Sequence, residues 1–157
     1  MFVVDSPIDL YALYESSVVD TKNEFLSKHR LAEPTGIIEL LKKEFGQEEG
    51  ELLANIEKVS PFTLKNKNSN ITSLSEHKIR FYTEPDEKWY REYRQTEFEN
   101  TNAFAIQQAG EQLKEMNFQN FELIETTNKG YNTNGSRNPH SWSIVDVDVL
   151  IITWIEK

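Results

Sequence analysis

Residues 141–155 place the strongest constraint on the fold, because apolar residues there alternate over a long stretch of chain. In an extended chain, one face of this stretch is a row of β-branched side chains, Val145, Val147, Val149 and Ile151. The opposite face is apolar at its ends, with Ile144, Leu150 and Ile152, and acidic in its middle, with Asp146 and Asp148. The pattern predicts a long strand that runs through the middle of a sheet or extends to a partner.

The rest of the chain predicts blocks of helices and paired strands. Helical periodicity and end signals, with a start at Ser6 and Pro7 and a stop at Gly46, favour helices over 8–15, 35–45, 48–59 and 101–116. Two further strands around a proline turn at 84–87 are expected over 78–83 and 89–98, and another over 121–126. Because the strands come in pairs, we expect an α+β fold with a largely antiparallel sheet and helices on one face. Residues 1–34 are predicted to form an N-terminal helical arm, and 35–157 the α+β domain.

Composition excludes several classes of function. The 157 residues fit one domain and include no cysteine, so neither thiol catalysis nor a cysteine-based zinc site is available. No signal peptide and no apolar run of membrane-spanning length is visible, which predicts a soluble protein made in the cytoplasm. The net charge of −9 argues against DNA binding through the whole surface. The acidity fits simple solubility, a basic partner, or a channel wall that repels passing DNA.

The sequence shows no catalytic signature, and we expect no catalytic, cofactor-binding or metal-binding site. Asp146 and Asp148 would face the same way on a strand and could hold Mg²⁺, although a solvent-facing patch explains them more simply. The three histidines, His29, His77 and His140, are scattered and lack metal-ligand spacing. Ser141 next to His140 is a weak candidate nucleophile, because such pairs are recognised by spatial geometry and not by adjacency in sequence.

Aromatic and basic side chains in the second half of the chain favour contacts with another protein. Tyrosine, tryptophan and arginine are enriched at protein interfaces, although a half-exposed sheet face also carries them. The loop over 128–140 is rich in turn dipeptides and long enough to be functional. The candidate interface residues are Trp89, Tyr90, Tyr93, Arg94, Lys129, Tyr131, Arg137 and Trp142.

Residues 78–155 resemble the tail-terminator, or neck-terminator, proteins of tailed bacteriophages. The similarity lies in the predicted strand over 90–98, the helix from Asn102 through Leu113, and the predicted closing strand over 142–149. The resemblance implies an α+β subunit that forms a ring, usually a hexamer, capping the tail tube and joining it to the head. It implies a virion location, neighbouring tail and neck proteins as partners, DNA only as passing cargo, and no enzyme activity, cofactor, membrane or small-molecule substrate.

Two alternatives remain open at this point. A small acidic domain also suits an immunity protein or antitoxin that covers a basic toxin through complementary charge. The second alternative is a metal-dependent enzyme that uses Asp146 and Asp148.

Overall fold

The computed structural model describes residues 1–24, 26–65, 70–74 and 76–155, and three parallel strands lie at its centre. The strands are β1 (Phe2–Val4), β2 (Ile79–Thr83) and β3 (Phe121–Glu125), in the order β1-β2-β3. Phe2 is in register with Arg80, and Ile79 with Phe121. Every residue of β2 is buried, as expected for the central strand of a covered parallel sheet. The strands predicted over 78–83 and 121–126 are confirmed.

The expectation of a largely antiparallel sheet with helices on one face is wrong. Both strand pairs are parallel, and long helical segments connect the strands. A parallel pair needs such a crossover, whereas a hairpin serves only an antiparallel pair. Helices also cover both faces of the sheet. The N-terminal residues contribute an edge strand to this sheet.

Three helices lie between β1 and β2. They are α1 (Leu10–Thr21), α2 (Lys28–Phe45) and α3 (Glu49–Ile56). The predicted start at Ser6 and Pro7 is wrong, because the Asp9 carboxylate caps α1 by accepting hydrogen bonds from the amides of Tyr11 and Ala12. Gly46 follows α2 as predicted. The three helices share a buried apolar cluster of Tyr11, Leu41, Leu52 and Ile56. Helix α2 continues through Pro34, and the division of the chain at residue 34 stays a prediction.

The strand predicted over 89–98 is wrong, because this segment is helical. A single turn, α4 (Glu87–Trp89), continues directly into a π-helical turn at Tyr90–Arg94. Asp86 caps α4, since its Oδ1 accepts a hydrogen bond from the Trp89 amide at 3.0 Å. The aspartate cap after Pro85 and the acidic first turn outweigh the alternating pattern of side chains.

The helix α5 (Asn102–Glu115) covers one face of the sheet, and its prediction over 101–116 is confirmed. Its N-cap is Thr101, whose hydroxyl accepts a hydrogen bond from the Phe104 amide. The helix packs its apolar side on Ile79 and Phe81 of β2. This apolar side consists of Ala105, Ile106, Ala109 and Leu113. Ile8, Phe62 and Ile71 from the N-terminal half complete the largest apolar cluster among the described residues.

The opposite face of the sheet is covered by the segment that sequence predicts as the long terminal strand. That prediction is wrong: the segment is a 3₁₀ turn (Trp142–Ile144) followed by α6 (Val147–Ile155). The Oδ1 of Asp146 accepts a hydrogen bond from the Val149 amide at 3.1 Å, which is the contact of a helix cap. Ile144, Val145 and Leu150 pack on Tyr82. In the part of the chain described, no helix is long and apolar enough to cross a membrane.

Candidate active site

Polar side chains collect where the three strands end. Asp5 follows β1, Glu84 follows β2 and Thr126 follows β3. Because the strands are parallel, these three residues lie at the same edge of the sheet. This carboxyl edge is where open parallel sheets bind their ligands.

Asp5 is held firmly at this edge although its backbone is strained. Its φ angle of 40° is left-handed, a region that residues other than glycine seldom adopt, and its side chain is 1 % exposed. The Asp5 amide donates to the Tyr82 carbonyl at 2.9 Å, and the Asn102 side-chain amide donates to the Asp5 carbonyl at 3.0 Å. The Thr83 hydroxyl donates to Asp5 Oδ1 at 2.9 Å. Strained backbone of this kind concentrates at functional sites.

The second oxygen of the Asp5 carboxylate contacts the imidazole of His140. The distance between Asp5 Oδ2 and His140 Nδ1 is 2.5 Å. A carboxylate only accepts hydrogen bonds, so Nδ1 carries the proton and Nε2 of the neutral ring keeps its lone pair. Nε2 has no hydrogen bond to the described part of the chain, and half of the side chain is exposed, 53 %. The hydrogen bond with Asp5 raises the pKa of His140 despite partial burial.

The phenol of Tyr90, from the π turn, completes the surroundings of Asp5. Its hydroxyl donates to Asp5 Oδ2 at 3.4 Å. Burial raises the pKa of Tyr90, and the charge of Asp5 raises it further, so the phenol stays protonated and remains a donor. Asp5 therefore accepts hydrogen bonds from Thr83, Tyr90 and His140, and only the histidine reaches solvent.

Glu84 fixes the loop that carries His140. Its carboxylate accepts hydrogen bonds from the Thr126 hydroxyl at 2.7 Å and from the Lys129 amide at 2.9 Å, and also from the Gly130 amide. It also forms an ion pair with Arg137. Burial alone would raise the pKa of Glu84, but these hydrogen bonds and the arginine lower it.

Arg137 ties the two ends of this loop together. Its Nη1 donates to the Gly130 carbonyl at 2.7 Å, and its Nη2 donates to Asp86 Oδ2 at 2.8 Å. Gly130 has no room for a side chain, because a Cβ there would lie 2.4 Å from the Asn138 carbonyl oxygen. The loop is therefore tightly closed two residues before His140.

His140 faces a cleft of about 230 Å³ between the helices of the N-terminal half and the π turn. Its apolar lining includes Leu13, Ile37 and Trp89. The charged lining residues are Asp20, Arg30, Glu33 and Arg94. Burial raises the pKa of Asp20. The cleft therefore combines apolar surface with a few charged groups beside the imidazole, as ligand sites commonly do.

Hydroxyl groups in the cleft are mostly engaged with the backbone. Ser16 donates to the Leu13 carbonyl at 3.0 Å, Thr96 to the Arg94 carbonyl at 3.2 Å, and Thr101 to the Phe98 carbonyl at 2.7 Å. Ser17 is 3 % exposed. Among the described residues, these contacts occupy three hydroxyl groups, whereas Nε2 of His140 has no hydrogen bond.

The predicted interface residues are distributed over different parts of the structure. Trp89 and Arg94 line the cleft, and the ring of Tyr93, 67 % exposed, stacks on Trp89 with 6.1 Å between ring centroids. Tyr90 also lines the cleft and is buried against Asp5. The remaining members lie elsewhere: Arg137 pairs with Glu84 and lies against the Tyr131 ring, and Lys129 and Trp142 are exposed. Their role as an interface stays a prediction.

Asp146 and Asp148 are not on a strand, so they do not share a face as the sequence pattern predicts. A strand would point both carboxylates to one face, but Asp146 precedes α6 and Asp148 lies in its first turn. Across residues 1–24, 26–65, 70–74 and 76–155, no group of three or more histidine, aspartate or glutamate side chains is placed to hold a metal ion. The Ser141 hydroxyl donates to the Tyr131 carbonyl at 2.8 Å.

Sequence reasoning missed Asp5 and Glu84 as site residues. The sequence pattern places Asp5 directly before the predicted helix start at Ser6 and Pro7, and Glu84 in the predicted proline turn. One available signal is an acidic residue directly after a segment rich in strand-forming residues, Val3–Val4 and 79–83, since an acid at the end of a buried strand marks the edge where sites form. No local pattern in the sequence indicates that Asp5 contacts His140.

Comparisons with protein-family models, with curated proteins and with solved structures find no match to this chain. The geometry of the site therefore carries the functional argument.

Proposed function

We propose that the chain is a hydrolase that acts on an ester or a related acyl compound, with His140 as general base and Asp5 as its positioning residue. The observation that carries this proposal is the contact of Asp5 Oδ2 with His140 Nδ1, while His140 lines the cleft and its Nε2 has no hydrogen bond to a described residue. A buried carboxylate that orients an imidazole in this way is the arrangement that activates hydroxyl nucleophiles in unrelated folds.

In the proposed reaction, Nε2 of His140 takes a proton from a hydroxyl-bearing nucleophile in the cleft, which is a water molecule in the simplest case. The oxygen attacks the carbonyl carbon of the substrate, and the imidazolium then returns the proton to the leaving oxygen. Asp5 stabilises the imidazolium and holds the ring. The protonated phenol of Tyr90 and the Thr83 hydroxyl keep the Asp5 carboxylate in place.

The first experiment measures hydrolysis of 4-nitrophenyl acetate by the wild type and by His140→Gln. General-base catalysis typically contributes about 10²–10⁴ in rate, so we expect kcat/KM to fall at least a hundredfold. His77→Gln is the matched control, because His77 is exposed in a turn away from the cleft. Equal rates for the wild type and His140→Gln would refute the proposal. Labelling with a fluorophosphonate tests whether a side-chain hydroxyl, such as that of Ser17, is the nucleophile.

The virion-subunit hypothesis, with its ring, its tail and neck partners and its virion location, stays a prediction. Two of the three segments that carry the resemblance, 90–98 and 142–149, form helical turns joined by short irregular stretches and contain no strand. The immunity-protein alternative likewise stays untested. Neither hypothesis accounts for an imidazole held by a buried aspartate at the mouth of a cleft.

A further inference from the structure

Arg94 lies in the cleft at the end of a strained backbone turn. It is the last residue of the π turn, and Gln95 follows it with a left-handed φ of 53°. The turn closes with a hydrogen bond from the Thr96 amide to the Tyr90 carbonyl at 3.3 Å. π turns and left-handed residues other than glycine are both costly and cluster at functional sites. Here they place an arginine at the cleft on the same turn as Tyr90.

The guanidinium of Arg94 has no hydrogen bond or ion pair with any described residue. Arg91, on the same turn, pairs with Glu97 at 3.8 Å, and Arg137 is fully engaged with Glu84 and Asp86. Arg94 therefore differs from its neighbours in keeping its donors available. Its charge also reaches the catalytic groups, because it lowers the pKa of His140 and of Tyr90.

The remaining charges of the cleft limit what Arg94 can bind. Arg30 and Arg94 face two acids, Asp20 and Glu33, in the lining, and the charge of Arg94 already acts on Asp20, whose pKa is raised by burial and lowered by Arg94. The cleft therefore has no excess of positive charge to hold a ligand with two negative charges. A single carboxylate can face Arg94 in a bidentate pair while its apolar part lies along Leu13, Ile37 and Trp89. A phosphate dianion would meet more repulsion for the same contact.

We propose that Arg94 binds a carboxylate of the substrate, so that the preferred substrates are esters that carry one carboxylate besides the ester group. This inference rests on the proposed hydrolase function and specifies its substrate class. The carboxylate lies at the guanidinium, and the ester carbonyl lies within reach of His140 Nε2.

The test compares the hydrolysis of mono-4-nitrophenyl succinate with that of neutral 4-nitrophenyl acetate. We expect the wild type to prefer the anionic ester, and Arg94→Gln to lower the ratio of the two kcat/KM values about tenfold or more, mainly through KM, as for the loss of a charged hydrogen bond. Arg91→Gln is the matched control on the same turn and should keep the wild-type ratio. An unchanged ratio in Arg94→Gln would overturn the inference and leave the hydrolase proposal standing.

A binding measurement separates the two proposals. Titration calorimetry with 4-phenylbutyrate, an unreactive carboxylate, should give weaker binding to Arg94→Gln than to the wild type, and neutral 4-phenylbutanol should not distinguish them. If neither ester is hydrolysed but this difference is found, the carboxylate site stands and the hydrolase function fails. Equal binding of 4-phenylbutyrate to both proteins refutes the carboxylate site.

Discussion

Asp5 and His140 are 135 residues apart in the chain, and their side chains meet with 2.5 Å between Oδ2 and Nδ1. The aspartate is buried at the end of the first strand, and the histidine lies at the end of a loop that Glu84 and Arg137 fasten. A buried acceptor and a half-exposed imidazole give the histidine one protonated and one reactive nitrogen. The proposed general-base reaction depends on this difference between the two ring nitrogens.

The pH dependence of activity follows from the raised pKa of His140. A general base must be neutral, so kcat/KM for 4-nitrophenyl acetate should rise with pH, with its midpoint above the ordinary histidine value of 6.5. Asp5→Asn removes the partner that raises this pKa, so the midpoint should move to lower pH while the limiting rate falls. A midpoint that stays where the wild type has it would show that Asp5 does not act on His140.

The Asp5–His140 pair should stabilise the folded state more at low pH, whereas the activity should rise with pH. A histidine whose pKa is raised on folding stabilises the folded state below its unfolded pKa, and this contribution is lost as the pH rises through the folded pKa. Urea unfolding of the wild type and Asp5→Asn at a series of pH values tests this. The difference in the free energy of unfolding between the wild type and Asp5→Asn should be largest at acidic pH and should shrink above the folded pKa of His140.

Glu84→Gln should destabilise the protein and displace the loop that carries His140. It removes the charge that pairs with Arg137, and because Arg137 keeps its ion pair with Asp86, we expect a loss of about 1.5–3 kcal/mol, as for hydrogen bonds to a charged group. Because the pKa of Glu84 is lowered on folding, its contribution is present above its unfolded pKa and is lost as the pH falls through the folded value. Urea unfolding at neutral pH measures the loss, with the exposed Glu87→Gln as control. A loss no larger than that of the control would contradict the role of Glu84.

Two glycine substitutions should change stability in opposite directions. Gly130→Ala places a Cβ 2.4 Å from the Asn138 carbonyl oxygen and 2.6 Å from Pro139 Cα, so it should destabilise by about 1–3 kcal/mol and lower the activity through His140. Gly36→Ala lies inside α2 with nothing within 4 Å, so it should stabilise by about 0.5–1 kcal/mol. Thermal unfolding measures both. A neutral Gly130→Ala would show that the loop is not closed as described.

The packing of α5 on the sheet predicts a large cost for truncating its buried face. Ile106 is 0 % exposed and contacts the sheet core, so Ile106→Ala should destabilise by about 2–5 kcal/mol. Glu111, exposed on the same helix, is the control, and Glu111→Ala should change the free energy of unfolding by less than about 0.5 kcal/mol. Similar losses for both variants would contradict the orientation of α5.

Local patterns in the sequence are sufficient to predict the helices and strands for which residue propensity, periodicity and end signals agree. The α5 helix combines a Thr101 cap with a helical apolar stripe, and β2 and β3 are short segments rich in aromatic and β-branched residues. The terminal segment was mispredicted because a run of valine and isoleucine fits a strand and a buried helix equally well. The Asp146 cap and the packing of Ile144 and Leu150 on Tyr82 select the helix.

The site was less accessible to prediction than the fold. The mistaken hairpin at 84–87 led to an antiparallel sheet, and an antiparallel sheet does not bring the ends of β1, β2 and β3 to one edge. Without that edge, Asp5, Glu84 and His140 remain three unrelated residues. Their association depends on long-range packing that one sequence does not encode locally.

The protonation of His140 tests the central claim most directly. In ¹⁵N-labelled protein at a pH above the His140 pKa, the imidazole signals that are lost in His140→Gln identify this residue. We predict that its neutral ring carries the proton on Nδ1, which donates to Asp5, and that Nε2 is the unprotonated nitrogen. A neutral ring protonated on Nε2 would contradict the Asp5–His140 pair and, with it, the proposed general base.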